Sequence, residues 1–322
     1  MKLSEVMHKN IAAYAANRVN LPRDEARRHR DQVNGLRDRL ANKINADPSY
    51  GLVKSLHAGS VAKGTALRTV SDLDLAVYVK ATEAPSGDAE LVPWLAERLF
   101  DATTNMAREQ FEEQMHCVTV HYRGSGLDVD VVPVLYKGER DDVGYLIKKG
   151  SGDRLRTSTR LHLDFIIDRR KTYGTELLEL IRLTKWWKRQ VARADADFKF
   201  KSFMIELIWC YLADRGLELG DYPKALEAFF SWIVKTGLEE QVAFTDYTPA
   251  SAIPPHSFAP IVVLDPVNPE NNVAARYDAT GRDRIVDAAQ AAMDALTDAR
   301  FATTKSRAVD DWQLILGPGF KG

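Results

Sequence analysis

Residues 58–80 read AGSVAKGTALRTVSDLDLAVYVK. Gly59 and Ser60 open a turn that also holds Gly64 and Thr65. The chain then enters an apolar run, Leu73, Leu75, Ala76, Val77, Tyr78 and Val79, that reads as a buried strand with Asp72 and Asp74 at its start. Side chains two apart on a strand share a face, so the two carboxylates point together. Like charges held side by side on a buried strand are unfavourable unless a cation lies between them. Magnesium suits such a pair, because it takes hard oxygen ligands and is usually held by one or two carboxylates plus substrate phosphates. Gly59 lets the backbone approach an anion closely, and Ser60 adds a hydroxyl to the N–H donors of the turn. The stretch predicts a nucleoside triphosphate with its terminal phosphates on the turn and its metal on the aspartates.

A second metal, activating an attacking hydroxyl, needs a third acidic ligand from a neighbouring strand. Residues 126–136, GLDVDVVPVLY, supply one: Asp128 and Asp130 alternate with Leu127, Val129 and Val131, giving a strand with one acidic and one apolar face. Pro133 is expected near the end of that strand or at an irregularity. A single DxD is common by chance; GS, then DLDL on a strand, then a second acidic strand is far more specific.

On these residues, GSVAKGTALRTVSDLDL followed by VDVVPV, the chain resembles the polymerase-beta-type nucleotidyltransferase superfamily. LIRLTKWWKRQ, KSFMIELIWCYLADRG and LDPVNPENNVA are similar to segments of 2′-5′-oligoadenylate synthetase and of the bacterial cGAS/DncV-like nucleotidyltransferases, the bacterial branch being the nearer. The likeness runs from residue 51 to about residue 275. It implies a metal-dependent enzyme of CBASS anti-phage systems that joins ATP, and other ribonucleoside triphosphates, into a cyclic di- or trinucleotide second messenger and releases pyrophosphate. It also implies an α/β (α+β) fold, in which a polymerase-beta-like lobe with a mixed or antiparallel sheet precedes a helical C-terminal lobe like that of oligoadenylate synthetase, with the triphosphate between the lobes. The boundary is expected near residue 155, giving 1–155 and 156–322. Two Mg2+ or Mn2+ ions are expected, one on Asp72 and Asp74, the other on Asp72, Asp74 and Asp130. Asp130 rather than Asp128 aligns with the family's third carboxylate.

The composition agrees with a globular enzyme: 322 residues, 45% apolar and 28% charged. A formal charge of −1 argues against a large basic channel, so long nucleic acid is not expected as substrate, though it stays open as an activator. Cys117 and Cys210 both lie in apolar surroundings and outside any metal-ligand spacing, which suggests free thiols in a reducing compartment. Neither a signal peptide nor a membrane-length apolar run is evident, so a cytoplasmic location without a membrane partner is expected.

Helices are expected over residues 3–18 and 23–46. The second is rich in charges of both signs, as befits a solvated face, and together they form a brace leading to the GS turn. EAPSGD reads as a loop, residues 89–110 as a helix, 117–122 as a strand hairpinned to the Asp130 strand through RGSG, and 144–147 as a short strand. His116 and His121 flank the 117–122 strand without forming a ligand cluster. The basic run at Lys148, Lys149, Arg154, Arg156 and Arg160 is open to two readings, a solvated stretch or a loop touching phosphates. Beyond it, helices are expected over 175–190, 201–214, 281–303 and 309–316, with a flexible GPGFKG tail.

In 175–190, Leu177, Leu178 and Ile181 mark the buried face, and Lys185 falls on the same stripe, where it either snorkels out or meets an anion. The resemblance favours the anion and makes Lys185 the donor-phosphate contact. Ser202 stands where an N-cap would. The family adds that it helps hold phosphate and that the following aromatic, here Phe203, stacks on the donor base. Glu206 reads as a buried partner of a lysine or a backbone group. DPVNPENN reads as a set of Asx turns. Some relatives need a HORMA-domain partner, and in others a ubiquitin-like machinery conjugates the C-terminus, which a terminal Gly322 suits. Two alternatives stand beside the cyclase: a nucleotidyltransferase acting on RNA or a small-molecule acceptor, and a catalytically silent nucleotide or RNA sensor.

Overall fold

The computed structural model describes residues 6–81, 88–255 and 258–322; most of the expected EAPSGD loop lies outside them. The chain forms two compact units, Leu21–Phe165 and Met1–Asn20 with Ile166–Gly322. This differs from a division at 155 in two ways: the first twenty residues join the C-terminal unit, and the junction falls ten residues later, within a helix.

In chain order, α1 is His8–Tyr14, continued by a π-helical turn Ala15–Val19. Unit Leu21–Phe165 holds α2 (Arg23–Asn45), β1 (Tyr50–Ala58), α3 (Gly59–Lys63), β2 (Asp72–Ala81), α4 (Leu91–Asp101), β3 (Phe111–Glu113), β4 (Val118–Tyr122), β5 (Leu127–Tyr136), β6 (Gly144–Ile147), β7 (Arg154–Thr157) and the start of α5 (Thr159–Tyr173). The sheet runs β1-β2-β5-β4-β3, with β6 joining β5 to β7. Only β2 and β5 are parallel, so the sheet is mixed. On its apolar face Leu73, Leu75, Val129, Val131, Val118 and Val120 pack with Leu36, Leu40 and Ile44 of α2 and Leu91, Leu95 and Leu99 of α4. This alternation is the one the sequence carries.

Pro133 is not at a strand end. On that side of β5, β4 pairs last at Val131 and β6 first at Val134, so the proline sits in the interval between two neighbours. α4 stops at Asp101 instead of running on to residue 110, because Thr103 turns its hydroxyl back to Leu99 O (2.8 Å) and the chain leaves for β3. The basic run is divided: Lys148 and Lys149 lie in the turn between β6 and β7, where Lys149 meets Glu113 at 2.9 Å, Arg154 and Arg156 lie on β7, Arg154 Nε donating to Asp88 at 2.6 Å, and Arg160 lies on α5.

The other unit is helical: the rest of α5, then α6 (Thr175–Ala194), α7 (Ser202–Asp214), α8 (Tyr222–Thr236), α9 (Ala279–Phe301) and α10 (Lys305–Leu316). Ten consecutive residues of α7, Met204–Ala213, are buried, making it the axis of this unit. Trp209 stacks on Phe229 of α8 at 4.7 Å and donates to Thr184 of α6 at 2.9 Å. The Asx turns are present: Asp265 accepts from Val267 N at 2.9 Å, and Asn272 accepts from Val263 N and Ala274 N. The expected brace is split, since Asn20 bonds Glu179 and Arg182 of α6 while α2 packs on the sheet. The GPGFKG tail is folded, not flexible. Phe320 is buried against Tyr14 (5.4 Å) and Trp312, and its carbonyl accepts from Gln313 at 2.8 Å. An apolar ring with no water-facing side anchors the segment. Among the described residues, no helix is long and apolar enough to cross a membrane.

Candidate active site

The polar face of the sheet is organised by register. In one row His121 of β4 lies opposite Asp128 of β5, which lies opposite Asp72 of β2; in the next, Glu112, Thr119, Asp130 and Asp74 stand side by side across β3, β4, β5 and β2. In-register neighbours project to one face, so all four aspartates share it. Further along β2 the same face turns apolar at Ala76 and Tyr78, which confines the acidity to the start of the strand.

Each carboxylate has a distinct environment. Asp72 Oδ1 accepts from Ser71 Oγ at 2.5 Å, and Asp130 Oδ1 from Thr119 Oγ1 at 2.6 Å. Asp128 Oδ1 is 2.7 Å from His121 Nδ1, with Glu112 3.4 Å from the other ring nitrogen. The hydrogen bond to Asp128, with the charges of Asp128 and Glu112, lifts the His121 pKa against the opposing effect of burial. Burial pushes the Asp130 carboxyl above the usual carboxylate range; the Thr119 hydroxyl draws it down, and the charges of Asp72 and Asp128 push it up again. Asp130, half-buried with like charges beside it, is a carboxylate that a cation would stabilise.

The expected GS turn is the short helix α3, closed by Gly64 in the left-handed conformation. Gly59 has φ +66°, and a Cβ there would run into the Asp74 carboxylate. Glycine is required twice over, and its missing side chain seats Asp74 against the turn. Among the described residues, no three Asp, Glu, His or Cys side chains converge closely enough to hold a metal ion as they stand. The donor set nevertheless fits a hard divalent cation: Asp72, Asp74 and Asp130 offer only carboxylate oxygens, on one face of adjacent strands, at side-chain positions that rotation can bring together.

In the helical unit, Lys185 is held inside the packing. It is 4% exposed, and its Nζ donates to Glu206 Oε1 at 2.6 Å within the helix packing. Glu206 is thus the buried partner that its sequence position suggests. Lys188, one turn further along α6, donates to Ser202 Oγ at 3.0 Å. Ser202 is the first residue of α7 and Lys201 takes the capping position, so the serine hydroxyl is an acceptor for a lysine rather than a cap. Lys201 is tied in by Tyr277 OH and Val273 O. Phe203 is half-buried on the first turn. The sequence reading passed over Lys188, Thr119 and the His121–Asp128 pair. Three residues separate Lys185 from Lys188, and the pattern alone does not say which of the two a facing helix covers.

A mixed sheet carrying GS, DxD and a third carboxylate on the adjacent parallel strand defines a nucleotidyltransferase, and residues 42–192 match the nucleotidyltransferase domain family. Over 322 residues, 100% of both chains, the sequence is 44% identical to the cyclic AMP-AMP-AMP synthase of Escherichia coli (strain MS 115-1). It is 31% identical to the CBASS oligonucleotide cyclase CdnC of Escherichia coli (strain KTE188), across 97% of this chain and 96% of that one. Among solved structures, E. coli MS115-1 CdnC with ATP superposes with a TM-score of 0.88 at 44% identity, over 98% of this chain and 99% of that one. The CdnC:HORMA-deltaN complex gives 0.88 at 43% identity, over 99% of each. The chain belongs to the CBASS oligonucleotide cyclases, the CdnC-type branch of the cGAS/DncV-like nucleotidyltransferases.

Proposed function

We propose that this chain joins ATP into a cyclic trinucleotide second messenger for anti-phage defence, releasing one pyrophosphate per bond. The observation that carries this reading is the in-register acidic face, Asp72 and Asp74 beside Asp130, abutting Gly59 in a chain 44% identical to a cyclic AMP-AMP-AMP synthase. Asp72 and Asp74 would hold the metal on the triphosphate, and those two with Asp130 a second one. When bound, two Mg2+ or Mn2+ ions neutralise phosphate charge and lower the pKa of the attacking ribose hydroxyl. Gly59 and Ser60 bring backbone N–H groups and a hydroxyl to the terminal phosphates. Lys188, in place of Lys185, with Ser202 forms the phosphate contact of the helical unit, and Phe203 offers a ring face to the donor base. The oxygen of the acceptor ribose attacks the α-phosphorus in line with the departing pyrophosphate. A HORMA-domain protein is the proposed partner, from the complex known for the E. coli relative.

The test is to incubate the purified protein, alone and with a HORMA-domain protein, with all four ribonucleotides and Mg2+ or Mn2+. Phosphatase treatment and mass spectrometry follow, beside an Asp72→Asn, Asp74→Asn control. A phosphatase-resistant cyclic adenylate absent from the control is expected. Transfer only to a supplied RNA or small acceptor, or nucleotide binding without pyrophosphate release, would replace the proposal with one of its rivals.

A further inference from the structure

Thr119 lies opposite Asp130 on β4, is 4% exposed, and its hydroxyl bonds Asp130 Oδ1 at 2.6 Å. The same oxygen accepts from Gln114 Nε2 at 2.9 Å. Gln114 is held in turn at the tight β3–β4 connection, where its backbone N donates to Cys117 O at 2.8 Å and its side-chain oxygen takes the Cys117 thiol at 3.9 Å. The direction of this relay follows from the donors. An amide nitrogen only donates, so with Gln114 on the Thr119 lone pair, the hydroxyl hydrogen points to the carboxylate. A hydrogen bond at one oxygen restricts how the carboxylate turns and favours one direction for its other oxygen.

We infer that Thr119 is a positioning residue for the third carboxylate: by engaging Oδ1 of Asp130, oriented by Gln114, it fixes which oxygen Asp130 presents to the metal and the attacking hydroxyl. The inference rests on the assignment of Asp130 above. It gives β4 a part in the chemistry by way of Asp130. It also gives a use to a threonine that is buried on the polar face of β4, opposite the face of Val118 and Val120. Groups that orient metal ligands are typically worth about 10–100-fold in metal affinity or activity.

The experiment compares Thr119→Val, which keeps shape and removes the donor, with Thr119→Ser, which keeps the donor. Mn2+ binding is followed by electron paramagnetic resonance in the presence of a non-hydrolysable ATP analogue, and initial rates give kcat and KM for ATP. The valine variant should bind Mn2+ about tenfold more weakly and lose about 10–100-fold in kcat with KM within about threefold, and serine should restore both. Wild-type Mn2+ affinity and kcat in Thr119→Val, or equal damage in the serine variant, would overturn the inference. If Thr119→Val does not fold, Gln114→Ala at its exposed site replaces it: weakened Mn2+ binding supports the relay and unchanged binding overturns it. A wild type that binds Mn2+ but forms no cyclic product would sink the proposed function and leave the Mn2+ comparison to decide on Thr119.

Discussion

In α6 and α7 the ammonium of Lys185 meets the carboxylate of Glu206, both almost fully buried, and the charges cancel inside the helix packing. On β2 and β5 four carboxylates occupy two adjacent rows, and the imidazole in those rows, His121, lies against Asp128 and Glu112. The first arrangement is complete without a ligand. The second gathers the carboxylates of Asp72, Asp74 and Asp130 on one face of adjacent strands, where a cation from outside the chain would stabilise them. Charge paired within the helix packing is structural, and like charge gathered on one face of the sheet marks the site.

The largest effect that can break this contrast is at Asp130. Asp130→Asn should lower turnover by about a thousandfold or more, about 4 kcal/mol in the barrier, while thermal unfolding stays unchanged or rises because a like charge is relieved. An activity loss matched by a fall in melting temperature would put the carboxylate on the structural side. The converse holds for the helical pair. Glu206→Ala strands a buried ammonium and should destabilise the protein by about 3–5 kcal/mol in denaturant titrations. Lys188→Ala, by contrast, should leave folding within about 0.5 kcal/mol and raise KM for ATP about tenfold. If Lys185 rather than Lys188 governs KM without affecting stability, their roles are exchanged.

The smallest effect sharpens the boundary between the two classes. The bond to Asp128 raises the His121 pKa in the folded state above its unfolded value of about 6.5. The pair therefore contributes its full stability below that pH and loses it as pH rises through the folded value. Melting curves of His121→Gln should fall below the wild type at about pH 6 and converge with it at alkaline pH, with a difference under about 1 kcal/mol because the imidazole is partly exposed.

Much of the carboxylate face was legible from sequence, because strand period and residue chemistry are local: DLDL and LDVDV each declare an acidic and an apolar side, and parallel pairing places them in register. The sequence could not say that Asp128 is claimed by His121, since that depends on β4 register. Nor could it tell that Lys185 is buried against Glu206 while Lys188 reaches Ser202, which depends on which turn of α6 another helix covers. The tail differs from its expectation for a related reason: GPGFKG has loop composition, and it is Tyr14, far away in the chain, together with Trp312 that makes Phe320 an anchor. The helix over 89–110 was overextended because periodicity is silent about Thr103 closing the last turn.

Pro133 has a consequence for how the sheet finds its alignment. Amide N–H groups alternate between the two edges of a strand, and Asp128 N points to the β2 side, so the hydrogen that Pro133 lacks would face the interval between β4 and β6. A slip of β5 by two residues would keep every side chain on its proper face and satisfy the apolar pattern, yet carry Asp130 away from Asp74. Such a slip would also put the proline opposite Val118, where a donor is needed. The missing hydrogen acts as a proofreading mark for strand alignment, penalising the misfolded sheet that hydrophobicity alone would accept.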